Sequence, residues 1–332
     1  MKKNNAIIES WENGTSSPTY SQLEKLAYEI YKIPLAVFFF SEPPEYSKVK
    51  TSFRTTPNMV YDMIPSGVLK IFREAETMIE NLYELNEGRN EFNRKNLLQD
   101  LKVSSIVNTA KALRAYLGVS IGTQKAWKDS ETVLRNWREK ITEAGIFIFK
   151  NPFKDSAYSG FCLYDKIYPL KYLNSSNSKN RQIFTIFHEI WHLLAQTSGI
   201  DFLHDDKIIN LFDDSARNVE IQCNQFATEF LLPTAEFERI VRNCRANEKT
   251  FYDISTEFSV SREVVLRGFF DYKLVLQADY NILTSKWNEE MLFNKSSGGG
   301  CIIIMKCPIL AICIKMQSAV FIVYIWQAVF EI

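Results

Sequence analysis

The chain has 332 residues, enough for about two domains with a buried core. Its 39 basic and 39 acidic side chains give a formal net charge of zero, so no overall positive field draws the protein onto nucleic acid or an anionic membrane. The six cysteines contain no CxxC pair and no apolar leader follows Met1, which argues against a disulfide framework, a cysteine zinc site and a secretory signal, and favours a cytoplasmic location.

Residues 1–44 contain a predicted helix, a turn and a second helix between positions 7 and 33. The first helix is expected to end at Asn13-Gly14, a pair that favours turns. Apolar residues recur at helical spacing along the two helices: Ile7, Ile8 and Trp11, then Leu23, Leu26, Ala27 and Ile30. An apolar run follows and stops at Pro43-Pro44, which we interpret as the edge of a first segment.

Residues 45–144 are predicted to form a mostly helical linker region. Apolar residues form helical stripes at two places: Val68, Phe72, Ala75 and Ile79, then Leu134, Trp137 and Ile141. Gly118 and Gly122 predict a break between the two stripes, because glycine is common where helices end and chains turn.

Residues 145–245 change from helical to strand patterning and back. Three short strands are predicted, at 146–149, 158–164 and 167–173. Pro169 falls in the third strand, and proline cannot donate a ladder hydrogen bond, so we expect that strand at an edge of a small sheet.

Two apolar helices are predicted after the strands, at 181–195 and at about 216–232. Residues 246–300 are predicted to form a small helical unit with a turn near Ser259. The predicted fold class is therefore α+β, mostly helical, with a small sheet packed against helices.

The last segment, residues 301–332, differs in composition from the rest of the chain. Its charged residues are Lys306, Lys315 and Glu331, and it follows a Ser-Ser-Gly-Gly-Gly run at 296–300. It fits a membrane span, a buried hydrophobic element, or a reading frame that slipped near Gly300. The longest uncharged run, 316–330, is shorter than the roughly 20 residues that a spanning helix needs. We therefore expect no membrane association. Of the two remaining interpretations we prefer the frameshift, which predicts a different C-terminal sequence in another reading frame of the gene.

The motif that indicates chemistry is HExxH, at His188-Glu189-Ile190-Trp191-His192. Histidines four positions apart lie on one face of a helix, one turn apart, so both imidazoles can reach one tetrahedral zinc ion. A glutamate directly after the first histidine can take a proton from metal-activated water and pass it to a leaving amine. The surrounding helix is apolar nearly all round, and buried histidines need polar partners or a metal.

A catalytic zinc usually takes three ligands from the protein, and HExxH supplies two. Glu220, early in the next predicted helix, is the preferred third ligand, because a glutamate from a second packed helix completes a His₂Glu site. The alternative is that Glu220 only benefits from its position near a helix N-terminus. Glu229 is a weaker candidate, and His204 lies in a polar loop where solvent exposure is expected.

The residues around this motif resemble the ImmA/IrrE family of metallopeptidases. The similarity runs over about residues 145–245, through Phe184-Thr185-Ile186-Phe187-His188-Glu189 and then Glu220-x-x-Cys-Asn-x-Phe-Ala-Thr-Glu-Phe-Leu-Leu-Pro233. The resemblance implies a zincin-like core that binds one zinc ion through His188, His192 and Glu220, with Glu189 as the general base. Cys223 stands where family members usually have alanine, a change between small residues that we expect to be tolerated.

The N-terminal residues resemble the end of an XRE-type helix-turn-helix domain. The matching residues are Ile8, Trp11, Glu12, Gly14, Pro18, Thr19, Gln22, Leu23, Glu24, Lys25, Leu26 and Ala27. Proteins with this architecture carry the first helices of the DNA reader before that point, so we expect a truncated reader, which makes sequence-specific DNA binding doubtful. The alternative is that residues 7–40 are only a helical cap on the rest of the chain. Phe53-Arg54-Thr55 also resembles a linker motif of these two-part proteins.

The resemblance implies a zinc-dependent intracellular endopeptidase whose substrate is a transcriptional regulator, such as a helix-turn-helix repressor of a mobile element. One alternative is an XRE-type DNA-binding regulator with a structural or sensory zinc site, and another is a decayed pseudoenzyme. Substrate contacts are predicted at Asn174 and Tyr168, because an edge strand at 167–173 would hold an extended peptide by strand addition.

Overall fold

The computed structural model describes residues 5–39, 64–87, 96–155, 157–202 and 214–296. These residues belong to two compact units, and the first extends to Val275. In the second unit, which begins at Leu276, the described element is one helix, Gln277–Ser296. No helix in the described ranges has an apolar stretch long enough to cross a membrane.

Several predictions fall on parts of the chain outside the described residues. They concern the hydrophobic segment 301–332, the linker motif Phe53-Arg54-Thr55, and His204. The five predicted segments, with boundaries after residues 44, 144, 245 and 300, remain predictions.

The first unit begins with the predicted helix, turn and helix. Helix α1 (Asn5–Glu12) is followed by α2 (Tyr20–Glu24), which continues as a π-helix (Lys25–Tyr31). A 3₁₀-helix (Leu35–Phe39) comes next. The side-chain oxygen of Gln22 accepts a hydrogen bond of 2.9 Å from the Thr19 N–H, which satisfies one of the free donors at the start of α2.

A series of helices fills residues 66–143, as the apolar stripes predict. They are α3 (Ser66–Leu85), α4 (Leu97–Asp100), α5 (Ile106–Leu117), α6 (Ile121–Ala126) and α7 (Ser130–Glu143). Gly118 ends α5 with φ of 66°, the left-handed conformation that glycine adopts without strain. The predicted break therefore lies at Gly118, whereas Gly122 lies inside α6.

Four strands form one mixed sheet: β1 (Phe147–Asn151), β2 (Tyr158–Leu163), β3 (Leu170–Asn174) and β4 (Gly199–Phe202). Their spatial order is β1-β3-β2-β4, with β1 parallel to β3 and the other neighbours antiparallel. The prediction that the third strand is an edge strand is wrong, because β3 pairs on both sides. The strand begins one residue after Pro169, so the missing N–H of that proline never interrupts the ladder.

The remaining helices of the first unit follow the sheet strands in the chain. They are α8 (Lys179–Leu194), between β3 and β4, then α9 (Asp214–Leu231), α10 (Thr234–Val241), α11 (Glu248–Phe258) and α12 (Arg262–Asp271). Helix α8 packs on the sheet and against α7 and α9, while α9 also packs against α5. This arrangement confirms the predicted α+β class, mostly helical with a zincin-like core. Strand β4 and helix α10 were not predicted, because both are short and carry little periodic signal.

An aromatic cluster connects α7, α8 and α9. Trp137 lies edge-on to Phe187 and Phe230, with ring centroids 5.1 Å and 5.2 Å apart, and Phe187 stacks on Phe230 at 4.0 Å. All three rings are fully buried. Such clusters contribute both a large buried apolar area and specific ring geometry, so α8 has a rigid support on the side that carries Phe187.

Candidate metal centre

Helix α8 brings His188 and His192 together on one buried face, as the HExxH spacing predicts. The Ser178 hydroxyl caps the helix by accepting a hydrogen bond from the Arg181 N–H at 3.3 Å. The two imidazole centroids are 5.5 Å apart, and the residues are 2% and 0% exposed. Both histidines lie within one regular helix, one turn apart, so their rings face the same small space beside α8.

Helix α9 brings the predicted third ligand, Glu220, to the same place. Its two carboxylate oxygens lie 3.3 Å from His188 Nε2 and 3.4 Å from His192 Nε2. Cys223, one turn further along α9, also faces the histidines: its Sγ and one ring nitrogen of each histidine lie within 4.8 Å of one another. The sequence interpretation treated Cys223 as a neutral replacement. Its spacing of three from Glu220, which puts both residues on one helix face, is the signal that could have placed it here.

Each histidine has a polar neighbour at the ring nitrogen that faces away from Glu220. His188 Nδ1 is 3.0 Å from Asn224 Oδ1, and His192 Nδ1 is 3.4 Å from the Thr197 hydroxyl. A proton held on Nδ1 leaves Nε2 with a free lone pair, which is the arrangement found in metal-binding histidines. Asn224 was part of the matched sequence motif, but the sequence alone assigned it no role.

The Nε2 atoms of both histidines have no hydrogen-bond partner among the described residues. Buried polar atoms without a partner carry a desolvation cost of a few kcal/mol, so two at one point call for a ligand. Imidazole nitrogens, a carboxylate and a thiol are suitable zinc ligands. The residues present therefore fit a zinc ion.

The charges at the centre shift the pKa values of its residues. Burial alone lowers the pKa of His188, but the carboxylates of Asp201, Glu220 and Glu189 outweigh it and raise the pKa to about 9. Burial alone raises the pKa of Glu220, yet the two histidines hold it well below its ordinary value. Burial, reinforced by the charges of Glu220 and Glu189, raises the pKa of Cys223 well above its ordinary value.

Glu189, the predicted general base, lies in the interior beside His188. It is 0% exposed, and neither carboxylate oxygen has a hydrogen-bond partner among the described residues. A buried carboxylate is costly unless it is paired or placed next to a positive charge. The position suits a group that receives and returns a proton next to a bound cation.

Strand β4 positions the centre from the other side of α8. Asp201 accepts a hydrogen bond of 2.6 Å from the Arg181 guanidinium and one of 2.7 Å from the Thr185 hydroxyl. Arg181 also donates to the Ser159 hydroxyl at 2.9 Å. This network ties β4 and β2 to the first turns of α8, and Asp201 contributes to the raised pKa of His188.

Gly199, the first residue of β4, lies directly against the imidazole of His192. A Cβ atom built on Gly199 would lie 2.5 Å from Cδ2 and 2.6 Å from Nε2 of that ring. Real Cβ atoms do not approach that closely, so glycine at this position lets the strand support the ring. The sequence alone gave no sign that Gly199 contacts His192.

Lys171 is a buried charged residue that the sequence interpretation did not single out. Its side chain, fully buried on β3, donates to the backbone carbonyls of Thr185 and Ile186 in α8. Burial lowers its pKa to about 8, although Glu189 opposes that shift. Lys171 therefore connects the sheet to the helix that carries both histidines.

The two predicted substrate-binding residues, Asn174 and Tyr168, make contacts within the fold, and their role in substrate binding stays a prediction. The Asn174 amide donates to the carbonyls of Asp155 and Tyr158 at 2.9 Å and 2.7 Å, and its oxygen accepts from the N–H groups of Phe153 and Ser176. These bonds use both amide protons and both acceptor positions, so the side chain of Asn174 is committed to holding the loops at this end of the sheet.

Tyr168 is similarly enclosed within the first unit. Its ring is 1% exposed and lies edge-on to Tyr83 of α3 with centroids 4.7 Å apart. It also packs against Phe147 of β1. The side chain therefore supports the packing of α3 on the sheet.

Comparisons with known proteins found one matching family model and a similar solved structure. Residues 141–269 match the family model described as the IrrE N-terminal-like domain, of peptidase family M78. A solved structure of a Mycobacterium tuberculosis transcriptional regulator is similar, with 18% sequence identity and a TM-score of 0.32. That similarity covers 48% of this chain and 44% of the regulator. No curated protein matches the chain.

Proposed function

Because residues 141–269 match the model of the IrrE N-terminal-like domain of peptidase family M78, we propose that the chain is a zinc-dependent endopeptidase. The observation that carries the proposal is the pair of buried imidazoles facing Glu220, with neither Nε2 atom satisfied by a described residue. His188, His192 and Glu220 would hold the ion.

The chemistry that zinc would supply, when held by His188, His192 and Glu220, is Lewis acidity, which would polarise a carbonyl group and lower the pKa of water to about 7. Glu189 then acts on the proton: its carboxylate accepts it from the attacking water and delivers it to the leaving amine nitrogen. Asn224 and Thr197 hold the two imidazoles in the required tautomer. The burial of Glu189 excludes competing solvent from this transfer.

An extended peptide would be held at strand β4 rather than at β3. Within the described residues the sheet ends at β1 and β4, and Gly199 of β4 touches the ring of His192. A peptide that adds to an edge strand pairs through backbone hydrogen bonds and places alternate side chains on either face. Placement at β4 therefore brings the peptide backbone next to the proposed zinc ligands.

The substrate that we propose is a transcriptional regulator, such as a helix-turn-helix repressor of a mobile element. The N-terminal helix, turn and helix of this chain (5–31) supports a link to such regulators. The same segment favours a second candidate, a DNA-binding regulator whose zinc site is structural or sensory. In that case the metal centre would stabilise the fold or sense the metal, and Glu189 would have no chemical role.

The experiment that separates these functions compares wild type with Glu189→Gln and His188→Ala. We expect about one zinc per chain in wild type and in Glu189→Gln, and loss of zinc in His188→Ala, as measured by elemental analysis. Purified helix-turn-helix repressors should be cleaved by wild type only. As a matched control, Gln222→Ala changes an exposed position on α9 and should keep both properties.

Circular dichroism on each variant would establish that the chain is folded. Zinc in wild type with no cleavage of any repressor, and DNA binding unaffected by Glu189→Gln, would favour the regulator. A folded wild-type chain without zinc would contradict both functions.

A further inference from the structure

Cys223 lies inside the candidate metal centre rather than beside it. The residue is 0% exposed on α9, one helical turn after Glu220. Its Sγ lies within 4.8 Å of a ring nitrogen of His188 and of one of His192. The two imidazoles are therefore approached by two side chains of α9: the Cys223 thiol, which is grouped with them within 4.8 Å, and the Glu220 carboxylate, which lies 3.3 and 3.4 Å from their Nε2 atoms but is not part of that group.

The separations are close to those that a tetrahedral ion requires. Zinc binds nitrogen and oxygen at about 2.0–2.2 Å and sulfur at about 2.3 Å, so its ligand atoms lie about 3.3–3.8 Å apart. The oxygens of Glu220 already lie 3.3 and 3.4 Å from the histidine nitrogens. The Cys223 Sγ lies within 4.8 Å of a ring nitrogen of each histidine, so it has to approach by at most about 1 Å to reach the same range.

A second sign of a ligand at this point comes from the buried Nε2 atoms of His188 and His192, which make no hydrogen bond among the described residues although the Glu220 oxygens lie 3.3 and 3.4 Å away. A buried cysteine alone is often a small packing residue, and Cys162 on β2 is equally buried. Cys162, however, does not belong to the group of candidate ligand atoms that contains Cys223. Geometry therefore distinguishes the two thiols.

We propose that Cys223 is a fourth protein ligand, which closes the centre when its sulfur binds the metal and opens it when the sulfur leaves. On binding, the S–H bond breaks, the proton passes to solvent and a sulfur–metal bond forms, so nothing is oxidised or reduced. A site with four protein ligands has no open position for water, whereas a site with three keeps one. Peptidase activity would then require dissociation of the Cys223 sulfur.

This inference depends on the proposed function, because it needs a metal held by His188 and His192. Its test uses the full chain loaded with cobalt(II), which reports sulfur coordination by an intense charge-transfer band in the near ultraviolet. The band should be present in wild type and lost in both Cys223→Ser and Cys223→Ala, while the weaker visible bands of bound cobalt remain. Cys223→Ser keeps the side-chain volume, which guards against a folding defect in the alanine variant.

Cys162→Ala is the matched control, since it removes an equally buried thiol and should keep the band. Loss of the charge-transfer band from Cys162→Ala but not from Cys223→Ser would overturn the proposal. Survival of the band in both Cys223 variants would also overturn it. Cobalt bound to wild type without any charge-transfer band would overturn this inference and leave the peptidase proposal standing. A folded wild-type chain that binds no cobalt would overturn both.

Discussion

Replacing Gly199 with alanine tests whether β4 holds the His192 imidazole in place. The added Cβ would lie 2.5 Å from Cδ2 and 2.6 Å from Nε2 of the ring, whereas carbon atoms in contact prefer about 3.5–4.0 Å. One partner must therefore move by about 1 Å. The strand is held by its pairing with β2 and by the hydrogen bonds of Asp201, so we expect the imidazole to give way.

The expected consequence of Gly199→Ala is a larger loss of metal binding than of stability. Functional side chains need to be held within about 0.5 Å of their working geometry, and disturbing the support of a metal ligand typically costs about 10–100-fold in affinity. Overpacking of a filled site costs about 1–3 kcal/mol in the free energy of unfolding. Zinc affinity is measured by competition with a chromophoric chelator, and stability by chemical denaturation of the metal-free chain.

Gly122→Ala is the matched control for this substitution. Its Cβ would meet nothing closer than the Ser120 hydroxyl at 3.7 Å, and it lies within helix α6. Alanine in a helix is favoured over glycine by about 0.5–1 kcal/mol, so this variant should be slightly more stable with unchanged zinc affinity. If Gly199→Ala bound zinc as tightly as wild type and unfolded at the same denaturant concentration, the proposed support of His192 by β4 would be refuted.

Two further predictions concern residues that contact α8. Asn224→Ala removes the acceptor at His188 Nδ1, so zinc affinity should fall about 10–100-fold; an equal fall in Gln222→Ala would show the effect to be unspecific. Burial lowers the pKa of Lys171 to about 8, below its ordinary 10.5, so between these values the unfolded chain binds more protons and stability should rise with pH. This rise in the free energy of unfolding, at most about 1.4 kcal/mol per pH unit, should be missing in Lys171→Met. If the free energy of unfolding of wild type and of Lys171→Met changed equally with pH between pH 8 and 10, the prediction would be wrong.

The local spacing of residues was enough to predict which side chains of α8 lie together at the centre. HExxH specifies two imidazoles one helical turn apart and a neighbouring carboxylate, and no other part of the chain is needed to infer a shared face. The main helices and the first three strands were likewise predicted from periodicity, because packing against one apolar core imposes the 3.6- and 2-residue repeats. Glu220 was predicted as a ligand, and the structure places its carboxylate against both histidines.

Sheet order and contacts between distant segments were decided by the tertiary structure. Pro169 suggested an edge strand, yet β3 lies between β1 and β2, because pairing depends on where the other strands come to lie. The four hydrogen bonds of Asn174 to the loops at the end of the sheet could likewise not be predicted from the sequence.

Lys171, Gly199 and Cys223 show the same division most clearly. Each acts through a residue on another element. Lys171 contacts the Thr185 carbonyl, Gly199 contacts the His192 ring, and Cys223 lies near His188 and His192. A lysine, a glycine and a cysteine carry no local periodic signal that reveals such partners. Their roles arise only when α8, α9 and β4 are packed together, because burial and close approach are properties of the assembled core rather than of any one segment.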